Sequence, residues 1–158
     1  MIYFDNGDLL DCKCEYICHQ VNCQAKMNSG IAKAIREKWP VVYTKYIEKC
    51  KKDFRDNKYT RQMLGDIQII PIGEKKNVIN MFGQDGYGYD GKRYTSYDAF
   101  WMCLGNIKNN VPKGSKIGFP AGIGSCRGGA NWNIILAMIG EVLDNDYEVH
   151  IIYKENEE

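Results

Sequence analysis

At 158 residues the chain is one domain's worth, expected to bury about two-thirds of its unfolded surface around one core, so residues 1–158 are read as a single domain. Lys and Arg number 21 against 20 for Asp and Glu, a net charge of +1, which excludes a chain-wide electrostatic footprint for nucleic acid or an anionic membrane but permits a local phosphate pocket. No apolar run approaches membrane-spanning length, and Asp5, Asn6, Gly7 and Asp8 come too early for a secretory leader; a cytoplasmic monomer without nucleic-acid or membrane partners is expected.

In chain order, residues 1–4 form a short strand turned by Asn6, Gly7 and Asp8, and residues 15–21 a second strand that tolerates little charge. A polar loop over 22–30 follows, with Ser29 as the expected N-cap of a helix whose apolar positions are Ile31, Ile35 and Trp39 and which Pro40 stops. Tyr43, Tyr46, Ile47, Cys50 and Phe54 predict another helix over about 41–54, with Lys49, Lys51 and Lys52 on its solvated face. Residues 65–72 and 77–83 read as two strands. Gly86, Gly88 and Gly91 then match a dinucleotide fingerprint as a pattern, but neither the helix nor the acidic residue that the fingerprint needs follows at the right distance. Tyr97, Phe100, Leu104, Ile107 and Val111 make one apolar stripe, hence a helix over about 95–109. A strand at 117–120, a glycine loop, a helix carrying Trp132, Ile135, Leu136, Ile139, Val142 and Leu143, a strand at 148–153 and a charged tail complete the chain.

Strands alternating with helices predict a three-layer α/β/α fold with a mixed, largely parallel sheet. In such sheets ligands sit beyond the carboxyl ends of the strands, where two strand–loop–helix units open: 15–21 into the loop before Ile31, and 117–120 into the run from Gly122 to Gly129. Glycines let backbone approach a ligand, and the first amides of each following helix lack intrahelical acceptors, so both loops are natural anion cradles.

The seven cysteines are Cys12, Cys14, Cys18, Cys23, Cys50, Cys103 and Cys126. Four of them and His19 crowd into residues 12–23, but without finger-type spacing, so reduced thiols acting as small apolar side chains are expected and no metal site is assigned. Cys126, in a loop that opens a helix, invites a nucleophile reading that would need His19 or His150 beside it.

Several motifs together resemble the macrodomains, which bind ADP-ribose: Gly7 to Leu10 after the first strand, His19 to Asn22 leading to Met27 through Ala32, Asn80 to Gly86 with Arg93 to Thr95, and Gly124 to Gly129 with Trp132. The likeness covers nearly the whole chain and is strongest to the bacterial and phage branch that processes ADP-ribose-1''-phosphate. It implies that Asp8, with Leu9 beside it, accepts from the adenine amine, that Tyr153 stacks on adenine and that Asn22 holds the distal ribose. It implies further that Asn28, Ser29, Gly30, Ile31 and Ala32 form the first phosphate-side loop and Gly122, Ile123, Gly124, Ser125, Cys126, Arg127 and Gly128 the second. Relatives commonly carry glycine at the places of Ala25 and Asn28, and aspartate at that of Asn131.

The resemblance also implies a reaction: hydrolysis of ADP-ribose-1''-phosphate, with His19 moving a proton, Asn22 orienting ribose or water, loop amides holding the phosphoryl oxygens, and no cofactor. Two alternatives stand beside it. One is removal of ADP-ribose from modified proteins, although Gln84 and Gly128 occupy the places of the lysine and aspartate of the branch that cleaves glutamyl esters. The other is a module that binds ADP-ribose or a related nucleotide without turning it over.

Overall fold

A computed structural model describes residues 1–88 and 90–154, and strand β2 (Tyr16–Val21) runs through the middle of its sheet. Six strands lie in the order β1 (Ile2–Asn6), β8 (Glu148–Tyr153), β7 (Lys116–Pro120), β2, β6 (Lys76–Phe82) and β5 (Ile67–Gly73). Every neighbouring pair is parallel except the β5–β6 hairpin, which is antiparallel. This is the mixed, largely parallel sheet expected from the alternation of strands and helices.

Helices cover both faces, which is why the inner strands read as apolar without strict alternation. On one face α1 (Gly30–Lys38), α2 (Pro40–Lys52) and a 3-10 helix (Leu9–Asp11) pack around Ile17, Val21, Ile35, Val42, Tyr46, Val78 and Phe82. On the other α3 (Tyr97–Asn110) and α4 (Trp132–Leu143) enclose Cys18, Ile79, Met81, Phe100, Leu104, Ile135, Ile139 and Ile151. Strand β6 shows the division residue by residue, sending Val78 and Phe82 to one core and Ile79 and Met81 to the other. Each such side chain, fully buried, contributes about 1.5–3 kcal/mol.

Local chemistry moves several boundaries. The third helix starts at Tyr97 rather than Thr95, because Ser96 is its N-cap and accepts from Ala99 N at 3.1 Å. Pro40 both stops α1 and supplies the first residue of α2, leaving Trp39 alone between them. A two-residue hairpin, β3 (Phe54–Arg55) with β4 (Lys58–Tyr59), follows α2 and turns through Asp56 and Asn57, both left-handed. Residues 155–158 of the expected charged tail lie outside the described residues.

Helix α2 fixes the loop that leaves β2. The fully buried Tyr46 hydroxyl donates to Asn22, whose O and Oδ1 lie at 2.7 and 2.8 Å, and accepts from Lys26 N at 3.1 Å. Tyr46→Phe leaves those loop groups short of a buried partner and is expected to cost about 1–3 kcal/mol, read as a fall in Tm of several degrees by calorimetry. An unchanged Tm would mean that the loop does not depend on this anchor.

Candidate functional site

The five parallel strands end along one edge of the sheet, so the loops that leave them are neighbours there. After β2, Asn22 organises the first loop with its own side chain. Its Oδ1 accepts from Gln24 N at 2.9 Å and from Tyr46 OH, and its Nδ2 donates to Lys26 O at 3.0 Å. Ala25 takes the left-handed conformation, φ 60°, where relatives commonly have glycine; a Cβ there costs about 1–2 kcal/mol. Asn28 does not share that conformation, and its Oδ1 instead accepts from Arg36 Nη1 at 3.2 Å. Ser29 stands at the N-cap of α1 as expected but makes no side-chain capping bond. The first-turn amides at Gly30, Ile31 and Ala32 therefore lack both helical acceptors and a cap.

The second loop leaves β7 and is folded on itself. Ile123 N donates to Pro120 O (3.1 Å), Ser125 N and Oγ both reach Gly122 O (2.9 and 2.6 Å), and Ala130 N donates to Gly124 O (3.0 Å). At its end Asn131 caps α4, accepting from Asn133 N at 2.9 Å. Gly30 of the first loop and Arg127 of the second face each other: a Cβ added at Gly30 would lie 3.7 Å from Arg127 Nη1. Cys126 and Arg127 are exposed beside them.

A third loop, from Gly83 to Ser96, locks the other two. Gln20 Nε2 donates to Gln84 Oε1 and Thr95 Oγ1, both at 2.7 Å, and Thr95 Oγ1 donates to Gly124 O at 2.8 Å. Tyr94 N and Thr95 N both reach Gly128 O, at 2.8 and 2.9 Å. Asp85 ties this loop to the first through Cys23 N (3.0 Å, to its carbonyl) and Gln24 Nε2 (2.9 Å, to its carboxylate), with Arg61 Nε 3.6 Å from the second carboxylate oxygen. Gln20, Asp85 and Thr95 were not among the site residues read from sequence. The alternation along β2, which separates Gln20 from His19, is the pattern that could have marked Gln20.

At the β1–β8 end, Gly7 N donates to Tyr153 O at 2.8 Å, which brings Asp8 and Tyr153 to adjoining strand ends. Asp8 is exposed and caps the 3-10 helix, accepting from Leu10 N at 2.9 Å. Tyr153 is 40% exposed, and its ring tilts against Phe4 with centroids 6.4 Å apart. The side chains of Leu9 and Ile123 are buried in the two cores, so those residues can offer a ligand backbone only.

One sequence expectation is corrected. His19 has no exposed surface; its Nε2–H donates to Asn80 Oδ1 at 2.5 Å, and Asn80 Nδ2 continues to Gln68 Oε1 at 3.1 Å. The three residues sit side by side on β2, β6 and β5, and Gln68 reaches Lys45 O of α2. The imidazole is thus part of a polar rung inside the sheet, shut off from solvent. Asn22, expected to orient a ribose or water, also braces its own loop, with one Nδ2 donor bonded to Lys26 O. The four cysteines of residues 12–23 do not all converge, because Cys18 belongs to one core and Cys23 to the other, while Cys12 and Cys14 lie together over Gly118. Among the described residues no three His, Cys, Asp or Glu side chains are placed to hold a metal, and all seven cysteines are free thiols. A cavity of about 430 Å³ lies away from the facing loops, against the sheet beneath the 3-10 helix.

Burial holds the His19 imidazole down, at about 4 against an ordinary 6.5, with the Asn80 hydrogen bond pulling the other way. The unfolded chain takes up a proton that the folded chain refuses, so this contribution is complete above pH 6.5 and lost as pH falls toward 4. Denaturant titrations from pH 7 to 4 are expected to show a loss of about 3 kcal/mol more than the same series on His19→Gln. Equal slopes would place the histidine in contact with water. A Cβ at Gly128 would lie 2.5 Å from Gly124 O and collide with Thr95 Oγ1. Gly128→Ala is therefore expected to destabilise the fold by about 1–3 kcal/mol and to open the second loop, read as new amide exchange over residues 122–130.

No family model matches the chain. Curated relatives named DNA ADP-ribosyl glycohydrolase, from Mycobacterium bovis and Mycobacterium tuberculosis, are 26% identical over 135 residues, 84% of this chain and 36% of theirs. The chain thus spans about a third of their length. Among solved structures, the macrodomain of Mycobacterium tuberculosis DarG superposes with a TM-score of 0.76 over 97% of both chains at 21% identity. DarTG of Thermosipho africanus, solved with ADP-ribose, gives 0.72 over 98% of this chain and 42% of its own at 18% identity. With helices on both faces of a mainly parallel sheet and macrodomains matching it nearly end to end, the chain has the macrodomain α/β/α fold.

Proposed function

We propose that the chain binds ADP-ribose along the edge where the five parallel strands end, and that it hydrolyses an ADP-ribosyl bond. The observation that carries the reading is the pairing of the uncapped first turn of α1 with Arg127 of the second loop, 3.7 Å from the Cβ position of Gly30. Amides at the positive end of a helix, faced by a guanidinium, suit a pyrophosphate. In this reading Asp8 accepts from the adenine amine, Tyr153 stacks on the base, residues 28–32 and 122–128 hold the phosphates by backbone, and the distal ribose lies toward Gln24 and Asp85. The name of the curated relatives supports a glycosidic bond as the target. The ADP-ribose complex of DarTG supports the ligand.

Gln84 and Gly128 supply no nucleophile, so water attacks the anomeric carbon in this reading, and the bond to the modified group breaks as the new C–O bond forms. Asp85, steered by Gln24, is the carboxylate that takes the proton of the water and returns it to the leaving group. Release of phosphate from ADP-ribose-1''-phosphate is the finer reading of the sequence resemblance, and it would use the same amides. Enclosure of His19 removes the proton-transfer group that it relied on.

The test pairs calorimetry with ADP-ribose and turnover of three substrates on the same sample: an ADP-ribosylated oligonucleotide, an ADP-ribosylated protein and ADP-ribose-1''-phosphate. The expected result is ADP-ribose binding, release of ADP-ribose from a modified macromolecule, turnover retained in His19→Gln, and kcat reduced at least tenfold with little change in KM in Asp85→Asn. Phosphate release that vanishes in His19→Gln would restore the phosphatase reading, binding with no turnover would make the chain a binding module, and no binding would overturn the reading altogether.

A further inference from the structure

The segment between the 3-10 helix and β2 folds back over the sheet, and with β1, β7 and β8 it encloses the cavity of about 430 Å³. Cys12 and Cys14 line that cavity with Asp5, Lys116, Glu148 and His150. Both sulfurs lie over one strand position, Gly118 of β7. A Cβ added there would sit 3.1 Å from Cys14 Sγ and 3.4 Å from Cys12 Sγ, so a glycine makes the room that the two thiols occupy. Cys12 is half-buried at the cavity wall and Cys14 is buried beneath it. Gly118 pairs with His150 on β8, which Asp5 and Glu148 hold by its two ring nitrogens at 2.5 and 2.7 Å.

The two thiols are electrostatically unequal. The S–H that Cys14 donates brings the Cys12 thiol down to about 6 against partial burial, and the Cys14 amide, Lys76 and His150 add to the effect. Donating that hydrogen bond, together with burial, pushes Cys14 up. Lys76 is anchored at the site by its bond to Cys12 O, 2.6 Å. The other buried thiols are pushed up by burial: Cys23 and Cys103 to about 12, Cys50 to about 11, and Cys18 also well up. A reactive thiolate with a second sulfur in contact is a nucleophile with its resolving partner.

The geometry points to a second site in this molecule: a Cys12–Cys14 dithiol that reduces small disulfides by thiol–disulfide exchange. The Cys12 thiolate attacks one sulfur of the substrate disulfide, a mixed disulfide forms on Cys12, and the first substrate thiolate leaves with the proton of Cys14. The Cys14 sulfur then attacks Cys12 Sγ, the Cys12–Cys14 disulfide closes and the second substrate thiolate leaves. The substrate gains two electrons and the pair of cysteines loses them. The volume of the cavity fits a small molecule, and its mixed lining, Lys13 and Lys116 against Asp5 and Glu148, suits a zwitterionic disulfide of the amino-acid type. The cavity also reaches Gly7 and Asp8, the acid that the ADP-ribose reading gives to adenine, so the two sites adjoin, but the thiol chemistry itself does not depend on that reading.

The experiment incubates the full reduced chain with glutathione disulfide, quenches with acid and maps the thiols after trypsin. Cleavage after Lys13 falls between the two cysteines, so the bridge holds the peptide ending at Lys13 to the one beginning at Cys14. The expected result is that bridge in the wild type, a glutathionyl adduct trapped on Cys12 in Cys14→Ser, and neither in Cys12→Ser. Iodoacetamide labelling of Cys12 is expected to be half-maximal near pH 6 and to shift upward in Cys14→Ser. A Cys12 that stays reduced in every glutathione buffer, from reducing to oxidising, overturns the inference. So does the same consumption of glutathione disulfide in Cys12→Ser as in the wild type.

Discussion

The hydroxyl of Thr95 is the point on which the cleft edge depends. It accepts from Gln20 at the end of β2 and donates to Gly124 in the loop after β7, while its own amide reaches Gly128. Parallel strands deliver their connections to one edge, and nothing in the sheet ladder itself fixes where those connections lie. Here one side chain and one hydroxyl fix three of them at once. The second loop is held from below by Thr95 and from within by its own turns, so its shape is set before any ligand arrives, which is what a backbone anion site requires.

The fold was legible because its long elements carry strong periodicity. The stripe from Tyr97 to Val111 marks α3, and the β-branched run at 148–153 marks β8 with the same bounds in the structure. What escaped was too short to have a period. The 3-10 helix offers only Leu9 and Leu10 as buried residues, and β3 and β4 are two residues each, so their sole mark is a turn dipeptide, Asp56–Asn57, that resembles any exposed polar pair. The start of α3 was misplaced because Thr95 and Ser96 are both capping residues, and tertiary contacts alone decide which one caps.

The strand-end edge was legible by position more than by role. The two loops expected on the phosphate side leave adjacent strands, β2 and β7, and the structure brings Gly30 and Arg127 face to face. The role of His19 differs from expectation for a reason internal to strands. His19 lies between Ile17 and Val21 in the period of two, so it points with them into the core beneath α1 and α2, and only its neighbour Gln20 can turn to the knot at Thr95. Its partners Asn80 and Gln68 are more than forty positions away, and the order in which strands pair, which puts them beside it, is not written in any local pattern. Asn22 faced the opposite difficulty. A polar residue at a strand end serves a ligand, its own loop or both, and the Tyr46 hydroxyl, twenty-four positions on, engages it for the loop.

Strand β7 shows how one short segment divides the molecule's chemistry. Its last residue, Pro120, opens the glycine run that forms half of the cleft, and two residues earlier Gly118 leaves a gap in the sheet surface that Cys12 and Cys14 fill. Both features come from removing side chains, yet they act in different directions. Beyond the strand end, missing side chains free the backbone to curl and present amides; within the strand, where pairing with Ile17 and His150 holds the backbone straight, a missing side chain can only admit atoms from above. A ligand at the strand end therefore meets backbone, whereas a ligand in the cavity beside Gly118 meets two sulfurs, and the two sites follow separate chemistries on a shared scaffold.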